Sequence, residues 1–194
     1  MKVAIYGGTF NPPHLGHTRV IYALKETIDP DRILLIPNYL PPHKEMEENA
    51  PDADQRLEMA SLAFSEIEKC EISDMEIRRG GKSYTYETID ELKSLNGDDE
   101  LYLVVGSDML LSFTEWKRYQ YILENSTLVC ASRTGEDREE LLAALPPDGI
   151  LLENEPVVIS SSEIRADVDR YKELLDPRVY EYITKNRLYS KGNL

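Results

Sequence analysis

The chain has 194 residues, 41% hydrophobic and 30% charged, enough to bury one full core and short for two, so a single domain spanning residues 1–194 is expected. Its 36 acidic against 22 basic residues give a formal net charge of −14, so the average surface repels nucleic acid and anionic membrane, and a polyanionic ligand needs a local basic site. Cys70 and Cys130 belong to no CxxC or Cys/His cluster, and no apolar run suits a signal peptide or a bilayer span; a cytoplasmic protein without disulfides, zinc or membrane partner is expected.

In chain order, Val3-Ala4-Ile5-Tyr6 is a short apolar run that ends at Gly7-Gly8. A helical pattern follows from Leu15 to Ile28, then a second apolar run, Ile33–Ile36. Asp52, with Gln55 three residues on, opens a second helix, and a third runs from Tyr86 to Leu95. Leu101–Val105 and Thr127–Ala131 are further strands, continuous enough to be buried on both faces. A last short strand is expected at Val157-Val158-Ile159, followed by helices, one announced by Asp176-Pro177 as N-cap and first helical residue. Alternating strands and helices imply an α/β fold: a Rossmann-like parallel sheet with helices on both faces and a small C-terminal helical portion. In such a sheet ligands bind beyond the carboxyl ends of the strands, so the residues after each strand carry the chemistry.

After the first strand, Gly7 and Gly8 permit a tight turn, and Pro12-Pro13 stiffen the loop before a helix that begins near Leu15 or Gly16. Exposed backbone N–H groups at a helix N-terminus make an anion site. His14 and His17, three residues apart, can project to one side, with Gly16 leaving room for a phosphate. A lone His-x-x-His would more simply be a surface feature; the Gly-Gly turn at a strand end favours chemistry. Near the other end, Ile159-Ser160-Ser161-Ser162-Glu163-Ile164-Arg165 has the Ser160/Glu163 spacing of a capping box, and its hydroxyls, N–H groups and Arg165 could hold a triphosphate.

The first segment resembles the Gly-x-Phe-x-Pro-x-His-x-Gly-His signature of the adenylyltransferase and cytidylyltransferase superfamily, matched by Gly8, Phe10, Pro12, His14, Gly16 and His17; the second resembles its Ile-Ser-Ser-Thr-x-Ile-Arg signature, with serine at Ser162. The middle, Gly80–Thr88 and Gly106-Ser107-Asp108-Met109 followed by Phe113-Thr114-Glu115-Trp116, resembles the bacterial nicotinate mononucleotide adenylyltransferase family. The resemblance implies transfer of AMP from ATP to nicotinate mononucleotide, with His14, His17 and Arg165 catalytic. It implies an ATP site at Gly8, Thr9, Phe10, His17, Gly106, Asp108, Ile159, Ser160, Ser161 and Arg165, where Asp108 would accept from ribose hydroxyls. The mononucleotide would meet Lys44, Tyr84, Thr85, Trp116, Lys117 and Arg133, with the indole of Trp116 stacked on the pyridine ring.

Two departures stand out. Arg133-Thr134-Gly135 replaces the family's Arg-Pro-Gly, and Lys117 occupies a position where an aromatic residue commonly donates its backbone N–H to the nicotinate carboxylate. Lysine keeps the amide and adds a charge. With no compact Asp/Glu/His set of metal-ligand spacing, Mg2+ is expected to arrive on the triphosphate with few protein ligands. The partners are therefore ATP and nicotinate mononucleotide, with a homo-oligomer compatible with the sequence. A sister enzyme such as pantetheine-phosphate adenylyltransferase, or a catalytically silent nucleotide sensor, shares the outer signatures and stays open at this point.

Overall fold

The computed structural model describes residues 1–42, 46, 47, 49–132, 136–153 and 160–190. Among them, six parallel strands form one sheet: β1 (Lys2–Gly8), β2 (Arg32–Pro37), β3 (Cys70–Ile72), β4 (Glu100–Gly106), β5 (Thr127–Ala131) and β6 (Ile150–Leu152), in the order β3-β2-β1-β4-β5-β6. The chain winds outward to one edge through β1, β2 and β3, then returns to pair β4 with β1 and winds the other way. That reversal opens a crevice above the carboxyl ends of β1 and β4.

Strand alternation explains why both faces are covered. Val3 and Ile5 of β1, Leu34 and Ile36 of β2 and Leu103 and Val105 of β4 join one core, while Ala4, Ile33, Leu35 and Val104 join the other. Each fully buried aliphatic side chain contributes about 1.5–3 kcal/mol relative to exposure, so the register of the central strands is strongly fixed. The first core is closed by α3 (Met75–Arg79), α4 (Thr85–Leu95), α5 (Ser107–Leu111), α6 (Tyr119–Asn125) and α7 (Arg138–Ala144) through Met75, Ile89, Leu110, Ile122 and Leu141. The second is closed by α1 (Leu15–Thr27) and α2 (Ala53–Phe64) through Val20, Ile21, Leu24, Ala60 and Phe64. The C-terminal helices α8 (Ser161–Ala166) and α9 (Pro177–Lys185) pack Ile164, Val179 and Ile183 against Met59, on the outer side of α2.

The expected helix starts are met by capping. Asp52 and Gln55 form a reciprocal box at α2, Ser160 and Glu163 another at α8, and the Asp176 side chain accepts from Arg178 N behind Pro177 at α9. The third helix begins at Thr85, one residue earlier than the apolar periodicity indicates, with Tyr84 as its cap residue. The edge strands β3 and β6 were not expected; three residues are too few for a periodicity to register. The strand expected at Val157-Val158-Ile159 lies outside the described residues.

Cys70 and Cys130 are free thiols. Burial pushes Cys70 up to about 11 and, with Glu136 and Asp108 adding to it, Cys130 up to about 12, so both stay protonated and unreactive at neutral pH. No described helix is long and apolar enough to cross a membrane.

Candidate active site

The crevice at the β1/β4 reversal is a cavity of about 880 Å3, in the range of small-molecule sites. Every predicted site residue that is described lines it. Lys44, Arg133 and Ile159, and with them the Thr134 departure, lie outside the described residues. A second cavity of about 540 Å3 lies alongside α1; its cations are already neutralised, Lys25 by Glu68 and Arg178 by Asp176 and Glu66.

The loop from β1 to α1 is shaped by its own residues. Phe10 adopts φ 47°, and a Cβ on Gly8 would lie 3.2 Å from the Phe10 ring, so a side chain at that position would make the ring give by a few tenths of an ångström. Asn11-Pro12 is a cis peptide. The Phe10 ring is buried, edge-on to Phe64 at 5.6 Å and 5.2 Å from His17, so this side chain seats an imidazole more than it faces a ligand.

His14 and His17 start α1 in a way that decides their chemistry. His14 is the N-cap, its Nδ1 accepting from Gly16 N at 3.1 Å, while His17 Nδ1 accepts from His14 N at 3.1 Å, completing a capping box built from two imidazoles. A ring nitrogen that accepts a backbone N–H carries no proton, so each neutral ring holds its proton on Nε2. The pair, 4.1 Å between centroids, is therefore preset as two N–H donors beside the positive end of a 13-residue helix.

The distant signature docks on this loop. Ser161 Oγ donates to Pro12 O at 3.1 Å, and Arg165 donates to Asn11 O at 3.0 Å, to Glu47 Oε1 at 2.9 Å and to Ser162 Oγ at 3.2 Å. The Arg165 side chain is only 11% exposed, and Glu47 is the anion that currently meets it from the cavity side. At the end of β4, Gly106 and not Asp108 takes the cap position of α5, which leaves the exposed Asp108 carboxylate on the cavity wall without a capping role.

The opposite wall is aromatic. Trp116 is half-buried against Phe113, ring centroids 4.9 Å apart, and Tyr84 and Tyr86 stack at 6.0 Å. Lys117 Nζ lies 4.2 Å from the Tyr84 ring centroid and 5.4 Å from that of Tyr86, so the residue that departs from the family pattern has a specific seat on the cavity rim. Thr85 sits at the first turn of α4, where its backbone N–H has no intrahelical acceptor.

Several residues at or around the cavity escaped the sequence reading. Arg56, 1% exposed, donates to Thr9 O at 3.0 Å, Asn38 Oδ1 at 3.3 Å and Tyr39 O at 2.8 Å, bracing the loops after β1 and β2 against each other. Burial lowers its pKa, and its buried Nε has no partner among the described residues. A signal for it does exist: Arg56 falls on the buried stripe with Met59, Ala60 and Phe64, where an arginine has to be satisfied by something internal. Ser83 Oγ accepts from Tyr39 N at 3.0 Å, and Glu76, whose carboxyl burial pushes up, accepts from Thr88 Oγ1 at 2.6 Å on the cavity floor. Neither announces itself in sequence.

The model of the family described as cytidylyltransferase-like matches residues 5–167. Among curated proteins, a probable nicotinate-nucleotide adenylyltransferase of Listeria monocytogenes is 35% identical over 190 residues, covering 98% of each chain. The corresponding protein of Clostridium tetani is 35% identical, covering 97% of this chain and 98% of its own. Among solved structures, Plasmodium falciparum nicotinic acid mononucleotide adenylyltransferase complexed with NaAD superposes with a TM-score of 0.81 over 97% of both chains at 22% identity, a likeness of fold.

Proposed function

This chain belongs to the cytidylyltransferase-like family, and from that premise we infer that it is a nicotinate-nucleotide adenylyltransferase, joining the AMP of ATP to nicotinate mononucleotide and releasing pyrophosphate. The observation that carries this reading is one cavity with two unlike walls: paired imidazole donors with Arg165 on one side, and Trp116, Tyr84 and Thr85 on the other.

The residues suit each step. The mononucleotide phosphate is already a nucleophile, so no general base is needed, and catalysis reduces to aligning two anions and stabilising the charge that develops. His17 and His14, with protons preset on Nε2, donate to the α-phosphate as its charge builds. Arg165 exchanges Glu47 for the departing pyrophosphate, a swap of one anion for another that requires no movement of its backbone anchor at Asn11. Asp108 accepts from the ribose hydroxyls, and Ser160 and Ser161 face the triphosphate from the start of α8. Trp116 offers a ring platform to the pyridine, whose positive charge is attracted to the indole face.

Among the described residues no group of three or more His, Cys, Asp or Glu could hold a metal ion. Magnesium is proposed to arrive with the triphosphate with few protein ligands, and would neutralise charge on the leaving group. A cytoplasmic location follows from the substrates, and the negative surface keeps nucleic acid out of competition.

Pyrophosphate release, measured in parallel with ATP plus nicotinate mononucleotide, nicotinamide mononucleotide or phosphopantetheine, tests the reading. The nicotinate substrate should turn over fastest. Turnover with phosphopantetheine alone, or none with any acceptor, would overturn it.

A further inference from the structure

Three of the side chains that hold the loop bearing the histidines come from distant places in the chain. Arg56 of α2 donates to Thr9 O and Arg165 of α8 to Asn11 O. The third is Tyr189, beyond the end of α9, whose hydroxyl donates to Asn11 Oδ1 at 2.5 Å across 178 residues of chain. Asn11 is itself only 7% exposed, so the hydrogen bond that its side-chain oxygen accepts from Tyr189 is shielded from bulk solvent.

Tyr189 reaches Asn11 through an unfavourable backbone. Arg187 and Tyr189 adopt φ of 54° and 61°, a left-handed conformation that side chains other than glycine hold only where tertiary contacts impose it. Leu188 and the Tyr189 ring pack with Val179 and Ile183, which anchors the segment to α9. Burial pushes the phenol pKa up, so the hydroxyl remains a proton donor throughout the working range.

We propose that Tyr189 is a positioning residue for adenylyl transfer: through Asn11 its hydroxyl fixes the loop that starts α1, and so the placement of His14 and His17. Pro12 and Pro13, whose φ angles are fixed, separate Asn11 from His14, so few torsions lie between residue 11 and the imidazoles to absorb a rotation. With Arg165 on its carbonyl and Tyr189 on its side chain, Asn11 is held at both ends. The proposal rests on the reading that His14 and His17 meet the nucleotide.

Tyr189→Phe keeps the ring and its packing and deletes only the hydroxyl. We expect kcat to fall by about tenfold with KM for both substrates nearly unchanged, beside a fall of only a few degrees in the thermal midpoint, as for one lost buried hydrogen bond. In an Asn11→Ala background the same substitution should have no further effect on kcat. Only three histidines occur in the chain, so the ring 15N–1H signals of His14 and His17 can be followed separately; they should shift in Tyr189→Phe. That last measurement does not depend on which acceptor is used, so it separates failure of this proposal from failure of the functional reading. Unmoved histidine signals, an unchanged kcat, a fall in the thermal midpoint alone, or additive effects with Asn11→Ala would each overturn the proposal.

Discussion

The loop carrying His14 and His17 is gripped by side chains from α2, α8 and the segment after α9, whereas the facing wall of Tyr84, Trp116 and Lys117 rests on ring faces and exposed cations. The difference matches what the proposed reaction asks of each wall. Stabilising charge on a phosphorus centre needs donors held to within fractions of an ångström, which directional hydrogen bonds from several elements provide. Recognising a flat cationic ring needs a surface, and ring faces tolerate small displacements. The first wall is thus costly to alter, while the second can be retuned by single substitutions.

Breaking the gripped wall should have the largest effects. His17→Ala is expected to lower kcat by about a hundredfold or more, since it removes a preset donor, while the fold persists because the capping box contributes only about 1 kcal/mol. Steady-state kinetics beside a melting curve checks both halves of that statement, and near-normal turnover would remove His17 from the mechanism. Arg56→Met strands the carbonyls of Thr9 and Tyr39 and should lower stability by about 2–4 kcal/mol in denaturant titration. Midpoints that coincide with the unsubstituted protein would mean the two loops do not need that brace.

The aromatic wall should respond more gently. Trp116→Ala is expected to raise KM for nicotinate mononucleotide about tenfold with KM for ATP little changed, and equal effects on both would place the indole in the core instead of the site. Lys117→Ala should reduce the preference for the nicotinate over the nicotinamide mononucleotide by about two- to threefold, because an exposed cation is screened. A ratio of kcat/KM values that does not move excludes Lys117 from selectivity.

Glu76 gives the smallest expected effect. Its folded pKa is raised by burial, so the ionised form costs stability that is absent below the ordinary carboxylate value and grows as pH rises through the folded one. Glu76→Gln, which keeps an acceptor for Thr88, should therefore match the parent in acid and exceed its thermal midpoint increasingly toward neutral pH. A difference that shrinks with rising pH would reverse the sign of this account.

Legibility in the sequence follows the same division of labour. The central strands, the starts of α1, α2, α8 and α9, and the histidine and serine signatures could be read because apolar runs, caps and glycine turns are local properties of the chain. The sheet's short edges β3 and β6 could not, since they exist only by pairing with a longer neighbour. The contacts of Tyr189 with Asn11 and of Ser83 with Tyr39 are likewise invisible from either partner alone, because a hydroxyl and an amide carry no mark of what they will meet. Arg56 is intermediate, betrayed by its place on a buried helix face but silent about the carbonyls it satisfies.

The double use proposed for His14 and His17 constrains what else could stand at those positions. Asparagine, aspartate or serine could begin the helix, and lysine or arginine could donate to a phosphate, but an acceptor toward the backbone combined with a donor toward the ligand is offered by few side chains at this reach. Saturation of both sites should therefore yield variants that fold and variants that retain fragments of chemistry, in nearly separate sets. Tolerance at these two sites is limited by the conjunction of two ordinary demands, each of which many residues could meet alone.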